Sequence, residues 1–173
     1  GLHETLSSTF SARVLLATAD EILSFDGIIG KESLLTVINN DNLSGDDRYF
    51  HGIVRKIEHT GMSGRKFLYE AEVVPSIYFL SLRRNCRIFQ ETTTHEIIKT
   101  ILEEAGITSD RYRFALENFD RKRGFCVQYQ ESDLDFISRL MEEEGIYYFF
   151  EHYKDKHVMV MCDSMSVHLP LNG

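Results

Sequence analysis

The periodicity of apolar residues changes once along this chain, near Pro75, and that change limits what the chain can fold into. Before it, apolar and β-branched residues come in short runs of strand character, over residues 10–16, 34–38, 49–59 and 67–74. Residues 39–47, rich in Asn, Asp and Ser, read as a loop, because such side chains bond their own backbone instead of a ladder. Gly61 to Gly64 reads as a hairpin tip, and Pro75 ends the last strand because it has no N–H to give.

After Pro75 strands alternate with helices. Thr93 and Glu96 stand at capping-box spacing, and Ile97, Ile98, Ile101, Leu102 and Ala105 make one apolar face, so a helix runs from about 93 to 104. Gly106 is placed to end it in the left-handed conformation. A second helix runs from Ser132 to about Glu144, with Leu134, Ile137, Leu140 and Met141 inward and Gly145 as its stop. The hexapeptides beginning at Cys86 and Cys126 echo each other, and each leads into one of these helices. The echo is either one strand–helix unit used twice or a coincidence.

Ile146, Tyr147, Tyr148, Phe149 and Phe150 follow without a polar break. An unbroken apolar strand is expected to be covered on both faces, by a helix layer or by another subunit. Residues 158–161 read as its hairpin neighbour.

Composition excludes several classes. Acids outnumber bases 27 to 19, a net charge of −8, the wrong sign for gripping phosphate backbones. The short basic run Arg121-Lys122-Arg123 is read as a solvated turn or an ion-pair partner. No apolar run approaches the roughly 20 residues of a membrane span. Neither a membrane anchor nor a secretory leader is expected, and Gly1 in place of Met points to a cut piece. Three dispersed cysteines suggest neither a disulfide framework nor a zinc site, but folding in a reducing compartment.

Catalytic constellations are missing from the sequence. The seven histidines fall in no ligand or nucleophile spacing, and no cofactor or metal is expected. The densest acids, Glu103-Glu104 and Glu142-Glu143-Glu144, sit at helix C-termini, where the dipole disfavours them. They are either a solvated run or the partners of a cation, with Arg83, Arg84, Arg87, Arg121 and Arg123 available. Nothing builds the apolar pocket that would raise one acid's pKa, so a hydrolase is not expected.

Three ordered blocks carry a resemblance. They are Tyr49-Phe50-His51-Gly52-Ile53-Val54, Arg83-Arg84-Asn85-Cys86-Arg87-Ile88-Phe89-Gln90, and the long run from Cys126 through Glu142-Glu143-Glu144-Gly145 to Phe150. They resemble the FxGIV, RRSDCRIFQ and helix–aromatic signatures of the VgrG and Rhs-element Vgr family, and the likeness covers nearly the whole chain. One departure is Pro75-Ser76-Ile77-Tyr78, where the family usually has Pro-Trp; this chain has no tryptophan.

The resemblance implies an α+β fold of β-barrel-like strands with two short helices, like the hub of contractile phage baseplates. Residues 1–75 would form a first barrel-like subdomain and 76–173 a strand–helix one. The second half of the hub, the OB domain and the β-helix spike would lie outside this stretch. It further implies a structural, non-enzymatic part of a type VI secretion spike: a homotrimer docked on the Hcp ring, with a PAAR tip and effectors carried by other parts. Such a part assembles in the bacterial cytoplasm and is then secreted or injected. The alternatives are a tail hub of a contractile phage or tailocin, or a stand-alone protein-binding module. Ile146 to Phe150 are the candidate core or subunit seam. Arg83, Arg84, Cys86, Ile88 and Phe89 are the candidate strand packed beneath it.

Overall fold

A computed structural model describes residues 1–22, 24–38, 47–117 and 121–164. Most of the loop read at 39–47, and His168, lie outside the described residues. Two compact units divide the chain: Gly1–Thr5, Thr9–Ser76 and His152–His157 form the first, and Leu6–Ser8, Ile77–Glu151 and Val158–Gly173 the second.

The first unit is an antiparallel sheet of β1 (Leu2–His3), β2 (Ser11–Thr18), β3 (Glu32–Val37), β4 (Arg48–Ser63) and β5 (Lys66–Val74). The strands lie side by side in the order β1-β2-β5-β4-β3, curled into a half-barrel. β4 runs past the expected tip: register shifts at Val54/Lys56 and His59/Gly61 absorb extra residues, and the turn falls on Gly64-Arg65. Gly61, at φ +139, sits inside the strand because glycine tolerates the backbone that the second shift demands.

Tyr69, Ala71 and Val73 of β5 face inward at the two-residue period, meeting Ala12, Val54 and Ile57. Residues before β3 fold onto this face: Ile22, Phe25 and Ile28 pack against it, and the Ile22 amide donates to Tyr69 Oη at 2.8 Å. The glycine of the FxGIV block has a steric cause. A Cβ on Gly52 would stand 2.6 Å from Val73 Cγ1 and 2.9 Å from the Val74 carbonyl oxygen, with Phe10 Cζ at 3.2 Å.

The second unit begins in a 3-10 turn with Ile77 and Leu80 buried. It continues through β6 (Arg84–Thr93), α1 (Thr94–Glu104), β7 (Tyr112–Ala115), β8 (Lys122–Ser132), α2 (Asp133–Glu143), β9 (Tyr147–His152) and β10 (His157–Cys162), of which the last residue of β9, His152, and the first of β10, His157, belong to the first unit. β6 and β8 pair as an antiparallel ribbon, and β10 lies between β7, to which it is parallel, and β9.

A strand–helix plan is used twice, but one residue out of step with the hexapeptides: at the spacing that relates the helices, Cys86 corresponds to Phe125 and not to Cys126. At the spacing that separates Thr94 from Asp133, five buried positions recur: Thr94, Ile97, Ile98, Ile101 and Leu102 in α1 match Asp133, Phe136, Ile137, Leu140 and Met141 in α2. The same spacing relates the N-caps Thr93 and Ser132 and the left-handed Glu91 and Gln130, at φ 49 and 51. It also relates the stop glycines Gly106 and Gly145, each with positive φ. Each stop is a Schellman motif, with Ile107 N–H bonded to Leu102 O at 2.9 Å and Ile146 N–H to Met141 O at 2.8 Å.

The two-sided cover expected of the aromatic strand falls on its neighbour. All six residues of β10 are buried, as suits the central strand of the three. β9 lies at the sheet margin and alternates: Tyr148 and Phe150 are buried, as is Ile146 just before the strand, while Tyr147 and Phe149 are half-buried against Val158, Val160 and Cys162. The strand containing Arg84, Cys86, Ile88 and Phe89 pairs with β8 in a separate sheet and is not a partner of β9.

Candidate interaction face

The ribbon of β6 and β8 inverts the usual placement of side chains. Its inner face carries Arg87, Phe89, Cys126 and Gln128, and its outer face carries Cys86, Ile88, Phe125, Val127 and Tyr129. Ile88 pairs across the ribbon with Val127, and Cys86 with Tyr129. Phe125 is 74% exposed, Tyr129 70%, Ile88 62% and Val127 48%. Four large apolar side chains on one ribbon face make a contiguous patch of the kind that marks an interaction site. Covering such side chains completely is worth about 1.5–3 kcal/mol each.

A buried carboxylate explains the inversion. Asp133, the first residue of α2, has no exposed side-chain surface. Its Oδ1 accepts from Asn85 Nδ2 at 2.8 Å, Arg87 Nη2 at 2.7 Å and Gln128 Nε2 at 2.9 Å. Its Oδ2 is 3.4 Å from Arg83 Nε, and its amide donates to the Arg83 carbonyl at 2.9 Å. An uncompensated buried charge costs several kcal/mol, so the donors must face inward. In a two-residue repeat that choice sends Phe125, Val127 and Tyr129 outward. Burial pushes the Asp133 carboxyl up, but hydrogen bonds from Asn85, Gln128 and Arg87, with the Arg87 charge, outweigh it and hold the pKa below the ordinary aspartate value.

Arginines also answer the question posed by the acids at the helix ends. Arg87 reaches from β6 to Glu104 at the end of α1. Arg123 reaches from β8 to Glu143 at 2.7 Å, to Glu144 at 2.8 Å and to Thr94 Oγ1 at 2.8 Å. Each arginine thus joins the end of one helix to the start of the other, offsetting the poor dipole placement of the acids. Arg139 adds Glu131 at 2.8 Å and Glu143 at 3.0 Å. Glu104, Glu143 and Glu144 at the helix ends are therefore engaged in ion pairs with arginines. Arg84 donates to the Gln130 carbonyl at 3.3 Å on the exposed side.

The candidate residues thus separate by role. Ile146, Tyr148 and Phe150 are core, and burial raises the Tyr148 pKa to about 12. Tyr147 and Phe149 sit half-buried beside them. Phe89 faces α2, its ring 5.9 Å from that of Phe136. Arg83 serves Asp133, while Cys86 and Ile88 belong to the outer patch. Sequence reasoning missed Asp133, Phe125, Val127 and Tyr129. The available signal was a strict alternation of large apolar residues with Cys126 and Gln128. Among the described residues no group of three or more His, Cys, Asp or Glu is arranged to hold a metal ion, and no helix is long and apolar enough to cross a membrane.

Comparison with known proteins places this geometry. Residues 3–173 match the family described as phage tail baseplate hub (GPD). The type VI secretion system spike protein VgrG1c of Pseudomonas aeruginosa is 35% identical over 166 residues, which is 96% of this chain and 22% of that protein. The actin cross-linking toxin VgrG1 of Vibrio cholerae is 38% identical over 155 residues, 90% of this chain and 14% of that one. Among solved structures, the E. coli c3393 protein superposes with a TM-score of 0.84 at 25% identity, covering 98% of this chain and 47% of that one. That protein is described as a component of the type VI secretion system with structural similarity to the T4 bacteriophage tail proteins gp27 and gp5. The chain spans about a fifth of the VgrG1c length.

Proposed function

This chain belongs to the phage tail baseplate hub family, and from that premise we propose that it forms the hub-side base of a type VI secretion spike, working as a structural part. In this reading three copies of the full natural chain associate, dock on the Hcp ring and carry a PAAR tip and effectors through segments outside these residues. The assembly forms in the cytoplasm and leaves with the spike. The observation that supports it most is the outer ribbon face of Ile88, Phe125, Val127 and Tyr129, held rigid by the Asp133 cluster behind it. A rigid exposed apolar face suits a symmetric contact in which the same patch is used by every copy.

Light scattering on the full natural chain tests this. A trimer is expected, reduced to monomer by Phe125→Lys combined with Val127→Lys, with the circular dichroism unchanged. A wild-type chain that stays monomeric at high concentration removes the spike reading and favours a stand-alone binding module. A trimer indifferent to the double variant moves the seam away from the ribbon. In the 173 residues themselves, no actin cross-linking or hydrolytic activity is expected.

A further inference from the structure

Three histidines from distant parts of the sequence meet inside the first unit. His51 of β4 and His157 are buried, and the His152 side chain is 8% exposed. β5 leaves the sheet at Val74, so the β4 amides ahead of Ile53 lose that partner strand. The turn of residues 152–157 supplies the replacement: the His51 amide donates to His152 Nδ1 at 3.2 Å. The Ser76 amide, just beyond β5, donates to His157 Nε2 at 3.0 Å, with Ser76 Oγ at 3.1 Å from the same nitrogen. His51 Nδ1 and His157 Nδ1 face each other at 3.1 Å. Phe10 packs edge-on against His152 and His157, with ring centroids at 4.8 and 5.8 Å, and Phe50 lies 5.3 Å from His152.

These bonds fix where the protons are. A backbone N–H can only donate, so His157 Nε2 and His152 Nδ1 must each present a lone pair. A neutral His157 then carries its proton on Nδ1 and donates it to His51 Nδ1. His51 and His152 are left with protons on Nε2, and these nitrogens face carboxylates: Glu32 at 3.9 Å and Glu4 at 3.6 Å. Among the other charged groups, Arg48 lies 5.4 Å from the Phe50 ring and Lys154 5.0 Å from the Tyr49 ring, while Arg55, Lys56, Glu58 and His59 lie further along β4. Asp155 and Lys156 lie in the 152–157 turn itself.

Three protons fill the trio, and a fourth has no harmless place. On His51 Nδ1 it meets the His157 Nδ1–H. On His157 Nε2 it meets the Ser76 amide, and on His152 Nδ1 the His51 amide. Each case replaces a hydrogen bond with two facing donors, a cost of a buried unsatisfied pair. Glu4 and Glu32 favour a cation on the outer nitrogens, but the collision on the inner side remains in every arrangement.

We propose that His51, His152 and His157 form an acid-released latch, holding the 152–157 turn and the chain at Ser76 against β4 near neutral pH and letting go when a fourth proton enters. The sign follows from where the proton is welcome. The latched rings are neutral, while a released imidazole takes its second proton near pH 6.5. The stabilisation is therefore fully present above that pH and fades as pH falls below it. The latch needs no partner and stands apart from the spike reading.

The test uses the 173-residue chain. Long-range 1H–15N spectra at pH 7.5 are expected to show His157 protonated at Nδ1 and His51 and His152 at Nε2. Between pH 7.5 and 5.0, the His51 and Ser76 amides are expected to lose tenfold or more of their exchange protection after correction for intrinsic rates. The Met159 amide, bonded to Arg111 O in the second unit, should not change. His152→Asn, which keeps an acceptor near Nδ1 but cannot titrate, should flatten the pH response of the His51 amide. Proton placement on His157 Nε2, or full protection of both amides at a pH where the rings are doubly protonated, overturns the latch. The spectra of the unaltered chain decide the matter even if the variant does not fold.

Discussion

The two strand–helix units of the second half share a backbone plan and differ in what they bury at the same place. In the first, α1 opens on Thr94, a neutral residue whose hydroxyl accepts from Arg123 at 2.8 Å. In the second, α2 opens on Asp133, a full charge gripped by Asn85, Gln128 and Arg87. The caps differ in the opposite sense. Thr93 and Glu96 complete a reciprocal capping box, whereas at Ser132 the third residue is Asp135, which accepts from the Ser132 hydroxyl at 2.6 Å. Both helix starts reach distant charged side chains, but the reciprocal box belongs to the first alone and the buried charge to the second alone. A repeated plan can thus be stabilised by different interactions in its two copies, and those copies should fail differently.

Replacing the charge should separate the copies most widely. Asp133→Ala leaves Arg83 and Arg87 without their buried partner and should cost about 3–5 kcal/mol in denaturant midpoint analysis. Thr94→Ala, at the equivalent position, removes a hydroxyl that accepts from Arg123 and donates to Glu144 but strands no buried charge, and should cost about 2 kcal/mol. Acid sharpens the contrast. The Asp133 pKa is depressed, so its contribution is present above the ordinary aspartate value of about 3.9 and lost as pH falls through the folded one. Equal costs for the two variants would show that the charge is not what distinguishes the copies.

The stop glycines test what the copies share. Gly106→Ala and Gly145→Ala each force a Cβ into the left-handed region, at φ 78 and 67, and should cost about 1–2 kcal/mol apiece. A large difference between the two would break the equivalence of the Schellman ends.

The caps give the smallest effect and the finest distinction. Bonds from the Thr93 backbone amide, then from the Thr93 and Thr92 hydroxyls, hold the Glu96 pKa down to about 2. A carboxyl 13C titration should therefore place its midpoint near 2, moving up towards the ordinary glutamate value in Thr93→Ala. A midpoint already near 4 in the unaltered chain would remove the reciprocal box.

Helices, caps and stops were legible because their signals are local: Thr93 with Glu96, Gly106, Gly145 and the periodic isoleucines lie within a few residues of one another. The half-barrel was legible in its strands, and the loss of β5 from the sheet was marked by Pro75. The ribbon face was not. Hydrophobicity alone would turn Phe125, Val127 and Tyr129 inward, and the pull of Asp133 on Gln128 and Arg87 turns them outward. The aromatic run at 146–150 drew attention by composition, yet the fully covered strand is β10, whose position between β7 and β9 depends on pairings made across the chain. The histidine trio was invisible for the same reason: His51 lies about a hundred residues from its partners. Interactions of that reach leave no spacing to read.

The placement of β10 also sets a timetable. Of the strands among the described residues a ribosome makes this one last, yet it supplies the middle rung of its sheet. β7 and β9 therefore emerge with no ladder to join and must wait, exposed, until Cys162 has left the exit tunnel. Closing the parallel pair of β7 and β10 then brings together residues separated by two strands and a helix, the slow kind of contact. A nascent chain stalled at Lys156 would hold finished helices beside an unfinished sheet, and this is the interval in which the chain is most open to capture by chaperones or by its own copies.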